Sequence, residues 1–339
     1  MSNNLDQNQI KSLLQPIIDT KMLSGIVIRG EKLDLIIELS NQTSVDQQNI
    51  TKKIEDILYL NFKELKEIRV IFNINKAAPA TTIRPKVHNH IPNVKKIILF
   101  ASAKGGVGKS TTATNVAVAL ANLGFSAGLV DADIYGPTIP KLLGINQKPE
   151  IHENKMIPIQ KHGIHSISIG YLIDETQAAI WRGPMISKTL YQLLLGVTWP
   201  KLDYLIVDMP PGTGDIYLSL AENFIIDGVV LLTTPQKIAF NMVKKSISFF
   251  NKTNIPIIGI VENMSYFFDP IHKVVHNIFG QNLSEDDLMR LGLNLLGRIP
   301  LISKISHYGD IGKTLLHEEE FSTYNLIAKK VSEKLKELS

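Results

Sequence analysis

One stretch decides the fold of this chain: Ala103-Lys104-Gly105-Gly106-Val107-Gly108-Lys109-Ser110-Thr111. The apolar segment 97–100 precedes it and predicts a β-strand. Residues 112–123 carry apolar side chains at helical spacing and are followed by Gly124, which predicts a helix and its end. A strand, a glycine-rich loop and a helix in this order are the setting in which such a loop cradles phosphate groups. The stretch therefore predicts a phosphate-binding loop of the P-loop type.

The residue types of this loop suit a nucleoside triphosphate with a magnesium ion. Glycines let successive backbone N–H groups turn inward around an anion, and the following helix N-terminus adds partial positive charge. We expect Lys109 to neutralise β- and γ-phosphate oxygens and Ser110 to offer its hydroxyl to Mg²⁺. The generic pattern GxxxxGK[ST] has glycine where this chain has Ala103, and a second lysine, Lys104, follows. The predicted ligands are ATP and Mg²⁺, with residues 103–111 around the nucleotide.

Acidic residues at two predicted strand ends could complete a site for phosphoryl transfer. Asp208 follows the apolar segment 204–207, where a carboxylate would hold Mg²⁺ through water. Asp133 follows the segment 127–130 and is the candidate for positioning or activating the attacking water, although it could instead only cap a turn. Asp131 could hold the residues that bind the metal ion, without touching the ion itself, or it could pair with Lys109.

Hydrophobic patterning divides the chain into two predicted domains. Residues 1–75 predict a small α+β domain, and residues 76–94, which contain prolines and little periodicity, indicate a flexible linker. Residues 95–339 alternate strand and helix patterns, which indicates an α/β P-loop domain with a mostly parallel sheet covered by helices. The strands predicted for this sheet are 97–100, 127–130, 204–207, 229–233, 257–261 and 293–296.

Composition excludes several classes of function. The formal net charge of +4 is slight for 339 residues and does not indicate a nucleic-acid partner. No apolar run approaches the length of a membrane span, and the first residues lack the pattern of a secretory signal, so we expect a cytoplasmic protein without a membrane partner. The chain has no cysteine, which excludes disulfides and thiolate metal ligands.

Longer motifs resemble one family of ATPases. The loop, with its early Lys104, resembles the deviant Walker-A ATPases, a group that includes MinD, ParA and the nitrogenase iron protein. Five further motifs resemble the Mrp/ApbC family of iron–sulfur cluster carriers, over about residue 95 to the C-terminus. These motifs are DADIYGP (131–137), WRGPM (181–185), VDMPPGTGD (207–215), TTPQ (233–236) and VENMS (261–265). Residues 1–75 are similar, in topology and position, to the MIP18-like domain that often precedes this ATPase.

The resemblance implies a slow ATPase of iron–sulfur protein assembly, whose partners would be apo iron–sulfur proteins. It further implies a homodimer that encloses two nucleotides, in which Lys104 reaches the phosphates of the partner subunit. Lys104 would thus join Lys109 and Asp133 as a catalytic residue, and Asn263 would hydrogen-bond adenine.

The chain departs from the family where the cluster is held. Carriers use a Cys-x-x-Cys pair a few residues after the VENMS motif, and the spacing places Asp269 and His272 at those two positions. These residues could bind iron or a cluster through oxygen and nitrogen, or the site could be lost. Thiolate is the usual cluster ligand, which favours loss and leaves cluster binding an open question.

Two other classes of function stay open. A MinD/ParA-like positioning ATPase would use residues 324–338 as an amphipathic docking helix, whereas the same pattern also fits a helix packed on its own domain. A nucleotide-gated binding protein would bind ATP without turnover.

Overall fold

The computed structural model describes residues 7–19, 22–40, 44–75, 88–173 and 183–338. Their contacts divide the chain into two compact units, Met1–Pro85 and Lys86–Ser339.

The first unit is a small α+β fold, as predicted. A three-stranded sheet in the order β1-β2-β3 pairs β1 with β2 antiparallel and β2 with β3 parallel. Alternate residues of β2, among them Leu33 and Leu35, are fully buried together with Ile10 and Leu14 of α1. The elements are α1 (Gln7–Leu14), β1 (Leu23–Arg29), β2 (Lys32–Ser40), α2 (Ser44–Asn61) and β3 (Glu67–Asn75).

The second unit contains the predicted mostly parallel sheet. Its eight strands follow the order β15-β12-β11-β4-β10-β5-β9-β8, and only the β8–β9 pair is antiparallel. Its strands are β4 (Val94–Ser102), β5 (Ala127–Asp131), β8 (Ile159–Lys161), β9 (Ile164–Ser168), β10 (Leu202–Asp208), β11 (Gly228–Thr233), β12 (Ile257–Asn263) and β15 (Leu295–Ile299). Two short hairpins lie outside it: β6 (Ile151–His152) with β7 (Lys155–Met156), and β13 (Phe267–Asp269) with β14 (Val274–His276).

Helices of the second unit pack on this sheet and on one another. The helices are α3 (Lys109–Asn122), α4 (Ile139–Leu143), α5 (Gly183–Leu195), α6 (Asp215–Asn223), α7 (Lys237–Lys252), α8 (Glu285–Arg290), α9 (Ser303–Asp310) and α10 (Phe321–Glu337). Within the described residues, no helix is both long and apolar enough to span a bilayer.

The C-terminal helix α10 packs against α3 and β15. Ile327, Val331 and Leu335 of its predicted apolar stripe are buried, whereas Leu326 and Leu338 are about half exposed. The stripe is thus mainly a packing surface of its own unit.

Three details of the sequence prediction need correction. The last strand, β15, begins at Leu295 rather than at residue 293. Gly292 turns the chain with a positive φ of 64°, and the pairing of β15 with β12 starts only at Leu295. The predicted linker extends too far, since Ile91 is buried and β4 already begins at Val94. Residues 76–87 lie outside the described residues. The β8–β9 hairpin edge of the sheet was not predicted.

Candidate active site

The glycine-rich loop joins the carboxyl end of the central strand β4 to the first turn of α3. β4 ends at Ser102 and α3 begins at Lys109, so residues 103–108 lie at the sheet edge where open α/β folds bind ligands. Gly106 and Gly108 have φ angles of 78° and 79°, which side-chain-bearing residues rarely adopt. The predicted strand, loop and helix are therefore present, and the loop turns as a phosphate cradle requires.

A buried ion pair lies directly below this loop. The Lys109 Nζ is 2.5 Å from Asp208 Oδ1, and the two side chains are 6 % and 0 % exposed. The second carboxylate oxygen of Asp208, Oδ2, has no hydrogen-bond partner among the described residues. Burial raises the pKa of Asp208, and the neighbouring Lys109 ammonium opposes that rise.

These residues fit a magnesium ion with a triphosphate. A buried carboxylate oxygen without a partner costs free energy unless a cation or an ordered water meets it. The Ser110 hydroxyl lies 3.4 Å from Lys109 Nζ, on the same side of the loop. Oxygen donors of this kind suit Mg²⁺, and the lysine provides the charge for phosphate oxygens.

Asp133 lines the same cavity as the loop, which has a volume of about 520 Å³. Burial raises the pKa of Asp133, while the charge of Lys109 lowers it. Hydrogen bonds from the backbone N–H groups of Gly136 and Tyr135 also lower that pKa, so the carboxylate caps a turn as well. The turn-capping role considered for Asp133 in the sequence is therefore present, and its role toward the attacking water stays a prediction.

Asp131 holds the segment that carries Asp133. Its Oδ1 accepts a hydrogen bond from the Asp133 N–H at 3.2 Å, and its Oδ2 accepts from the Ile139 N–H at 3.1 Å. Burial, followed by the charge of Asp208, raises the pKa of Asp131 to about 7. Of the alternatives left open for Asp131, support of the site is the one its contacts favour.

Asn263, at the end of β12, packs on the phosphate loop. Its Nδ2 donates to the Val107 carbonyl at 2.8 Å, and a Cβ at Gly108 would lie 2.1 Å from that same nitrogen. Because only glycine fits this approach, Gly108 is required twice, by its φ angle and by its neighbour. Asn263 also lines the cavity. A hydrogen bond from its side chain to adenine stays a prediction.

Much of the cavity lining lies outside the quoted motifs and was missed in the sequence. Most of it comes from α4, α9 and the segment that follows β15, none of which carries a motif. These residues are Lys141, Leu142, Pro300, Leu301, Ile302, Ile305, Ser306, Gly309 and Asp310.

Comparison with known families settles what this arrangement belongs to. The ParA family, described as the NUBPL iron-transfer P-loop NTPase, matches residues 93–336. The chain belongs to this family. The result confirms the resemblance seen in the motifs, and the glycine-rich loop lies within the matched residues.

Relatives of this iron-transfer family extend over most of the chain. An iron–sulfur cluster carrier protein of Rickettsia felis is 42 % identical over 309 residues, which cover 89 % of this chain and 93 % of the relative. A carrier of the same name from Aquifex aeolicus is 37 % identical and covers 90 % and 86 %. A mitochondrial iron–sulfur protein of Arabidopsis thaliana, required for NADH dehydrogenase, is 43 % identical and covers 72 % and 80 %.

Solved structures agree with the family assignment. A nucleotide-binding protein of Archaeoglobus fulgidus in complex with ADP has a TM-score of 0.60 at 32 % identity, covering 68 % of this chain and 91 % of that one. The cell division ATPase MinD of Pyrococcus furiosus has a TM-score of 0.53 at 18 % identity, covering 70 % and 98 %, which shows a shared fold alone.

The early lysine of the family loop, Lys104, does not line the cavity. Lys104 is exposed, and its Nζ lies 3.4 Å from Gln236 Oε1. The N–H of Gly212, in the VDMPPGTGD motif, donates to the Ser102 carbonyl at 2.8 Å and thereby ties that segment to the start of the loop. A role for Lys104 across a subunit interface stays a prediction.

The position of the missing cysteine pair lies on the β13–β14 hairpin. Asp269 Oδ1 accepts from the N–H groups of Ile271 and His272 at 2.8 and 3.2 Å, and its Oδ2 lies 2.6 Å from His272 Nδ1. The hydrogen bond from His272 is the main cause that holds the pKa of Asp269 below its usual value. No group of three or more metal-binding side chains occurs within the described residues. The Asp269–His272 pair thus closes the turn of this hairpin.

Proposed function

We propose that this chain binds and hydrolyses MgATP and uses the cycle in the assembly of iron–sulfur proteins. One observation carries the hydrolysis: in the described part of the chain the buried Lys109–Asp208 pair leaves Asp208 Oδ2 without a hydrogen-bond partner, beside the glycine-rich loop and Asp133, which line the same cavity. The family membership and the names of the relatives support the role in iron–sulfur protein assembly.

The residues divide the work of phosphoryl transfer between them. Loop N–H groups and Lys109 would hold the triphosphate, and Ser110, together with Asp208 through water, would hold a magnesium ion, which would supply positive charge toward the phosphate oxygens. Asp133 accepts a hydrogen bond from the attacking water and orients its oxygen toward the γ-phosphorus. The bond from that phosphorus to the ADP oxygen breaks as the new one forms, and the proton leaves through Asp133 to solvent.

Asp133→Asn is the test of this assignment. We expect turnover to fall about 10²-fold, because the amide is a poor proton acceptor, while ATP affinity stays within about threefold. Phosphate release and nucleotide titration measure the two quantities. Asp286→Asn, an exposed change in α8, is the control and should match wild type. Undiminished turnover in Asp133→Asn would assign the role elsewhere, and lost ATP binding would make Asp133 structural.

The active form, in this proposal, is a homodimer closed over two nucleotides. Lys104 is exposed next to its own loop, where a second subunit would meet it. The segment that follows the β13–β14 hairpin approaches the end of β11, since a Cβ at Gly280 would lie 3.6 Å from the Pro235 carbonyl oxygen. Six apolar side chains of the hairpin region are at least 37 % exposed and offer a surface for association. They are Phe267, Phe268, Ile271, Val274, Val275 and Ile278.

The iron–sulfur cluster is the cargo of this family's carriers, and we propose that this chain acts on apo iron–sulfur proteins without holding the cluster on thiolates. The chain contains no cysteine, and both carboxylate oxygens of Asp269 are hydrogen-bonded, one to a backbone N–H of the turn and the other to the His272 side chain. Its ATP-driven association would then serve as a scaffold that binds client proteins.

Anaerobic reconstitution with iron and sulfide tests the cargo assignment. We expect wild type to acquire no visible cluster absorbance while it keeps ATP binding. The double variant Asp269→Cys/His272→Cys should gain absorbance and iron, because thiolates then stand at the two hairpin positions. Stoichiometric iron and sulfide in wild type would contradict the assignment.

A further inference from the structure

Ser168, the last residue of β9, is connected to the segment that carries Asp133. Its side chain is fully buried. The Ser168 hydroxyl donates to Asp131 Oδ2 at 2.9 Å and accepts from the Gly170 N–H at 2.9 Å. Among the described residues, Ser168 is the only side chain that hydrogen-bonds to the Asp131 carboxylate.

Asp131 fastens the segment 132–139 at two points. Its Oδ1 meets the Asp133 N–H, and its Oδ2 meets the Ile139 N–H at the start of α4. Hydrogen bonds to a buried carboxylate are strong because no water competes for them. The orientation of this one carboxylate therefore sets the backbone on both sides of the segment.

Gly170 braces the same segment by contact. A Cβ at this position would lie 2.9 Å from Pro140 Cγ and 3.1 Å from Pro137 Cβ. The 3₁₀ turn Ile169–Tyr171 thus packs directly on the two prolines that follow Asp133. The reason for glycine here is this close approach.

The geometry points to Ser168 and Gly170 as positioning residues for ATP hydrolysis, which fix Asp133 through Asp131 and through the prolines. This inference rests on the proposed hydrolysis. Neither residue lines the nucleotide cavity, so neither touches the reacting atoms. Their loss should lower turnover and leave nucleotide affinity in place, since small displacements of a catalytic group have large effects on rate.

Ser168→Ala with Ser166→Ala as its matched control is the experiment. Ser166 is also fully buried on β9, but its hydroxyl contacts the Ile159 carbonyl and the Tyr171 hydroxyl. We expect Ser168→Ala to lower kcat about tenfold with KM and ATP affinity within about twofold, and Ser166→Ala to keep kcat within about twofold. Melting temperatures of both variants report folding. Equal losses of kcat in both, or no loss in Ser168→Ala, would overturn the inference.

Two further variants separate positioning from general damage. Gly170→Ala should lower kcat at least as much as Ser168→Ala, because its methyl group displaces the prolines. In an Asp133→Asn background, Ser168→Ala should cause no additional loss of single-turnover rate, and a multiplicative loss would contradict the coupling. If Asp133→Asn is impaired while Ser168→Ala and Gly170→Ala keep the wild-type rate, only this inference fails. If wild type does not hydrolyse ATP, the proposed function fails and this inference is overturned with it.

Discussion

Lys109→Ala is expected to lower the affinity for MgATP by about 10³-fold, since truncating one member of a buried charge pair costs about 2–5 kcal/mol or more. The ammonium is the main positive charge inside the loop, and it is nearly buried at the base of the cavity. Calorimetric titration with MgATP measures the loss. Lys95→Ala is the control, because Lys95 is an exposed residue near the start of β4, far along that strand from the loop. This variant should bind MgATP as wild type does. Unreduced affinity in Lys109→Ala would remove the basis of the nucleotide assignment.

The same substitution has a second consequence for stability. It leaves the Asp208 carboxylate buried without its partner, so we expect the free energy of unfolding to fall by about 3–5 kcal/mol. Lys109→Ala/Asp208→Asn removes the uncompensated charge and should recover part of that loss. The affinity for MgATP should stay as low in the double variant as in Lys109→Ala. Denaturant unfolding, measured alongside the titration, thus distinguishes a loss of MgATP affinity from a loss of folding stability.

The nucleotide site was predictable where local sequence determines local geometry. Gly106 and Gly108 turn the chain by their own φ angles, and β4 and α3 follow from periodicity in adjoining segments. Asp208 was recognisable because an apolar strand delivers it to the same edge of the sheet as the loop. In each of these cases the information lies within a few residues of the functional group.

Other parts of the site depend on residues that are distant in sequence. Ile305 and Asp310 of α9 line the cavity only because β15 and the turn after it bring them there, and their sequence carries no motif. The meeting of Ser168 with Asp131 depends on β9 pairing with β5, in a hairpin edge that periodicity did not reveal. A single sequence contains no signal for such pairings, so both remained open until the fold was known.

Lys104→Ala is expected to lower turnover about 10³-fold or more while ATP affinity changes little, as for a finger residue that acts on the transition state. Among the described residues, Lys104 forms no hydrogen bond or ion pair with Asp208 or Ser110; its Nζ lies 3.4 Å from Gln236 Oε1. The ammonium is therefore free of its own subunit's phosphate site and available to another. Phosphate release under saturating MgATP measures the effect.

Mixing Lys104→Ala with Asp133→Asn subunits decides where that lysine acts. If it acts across the interface, a mixed dimer has one complete site, made of Asp133 from one subunit and Lys104 from the other. Random exchange makes half of the dimers mixed, and one of two sites in each is competent, so about a quarter of the wild-type rate should return. If Lys104 served its own subunit, every site in the mixture would lack one of the two groups and no activity would return. Recovery of activity on mixing therefore requires that the chain forms a dimer and that Lys104 of one subunit acts in the site of the other. Neither variant alone could establish this.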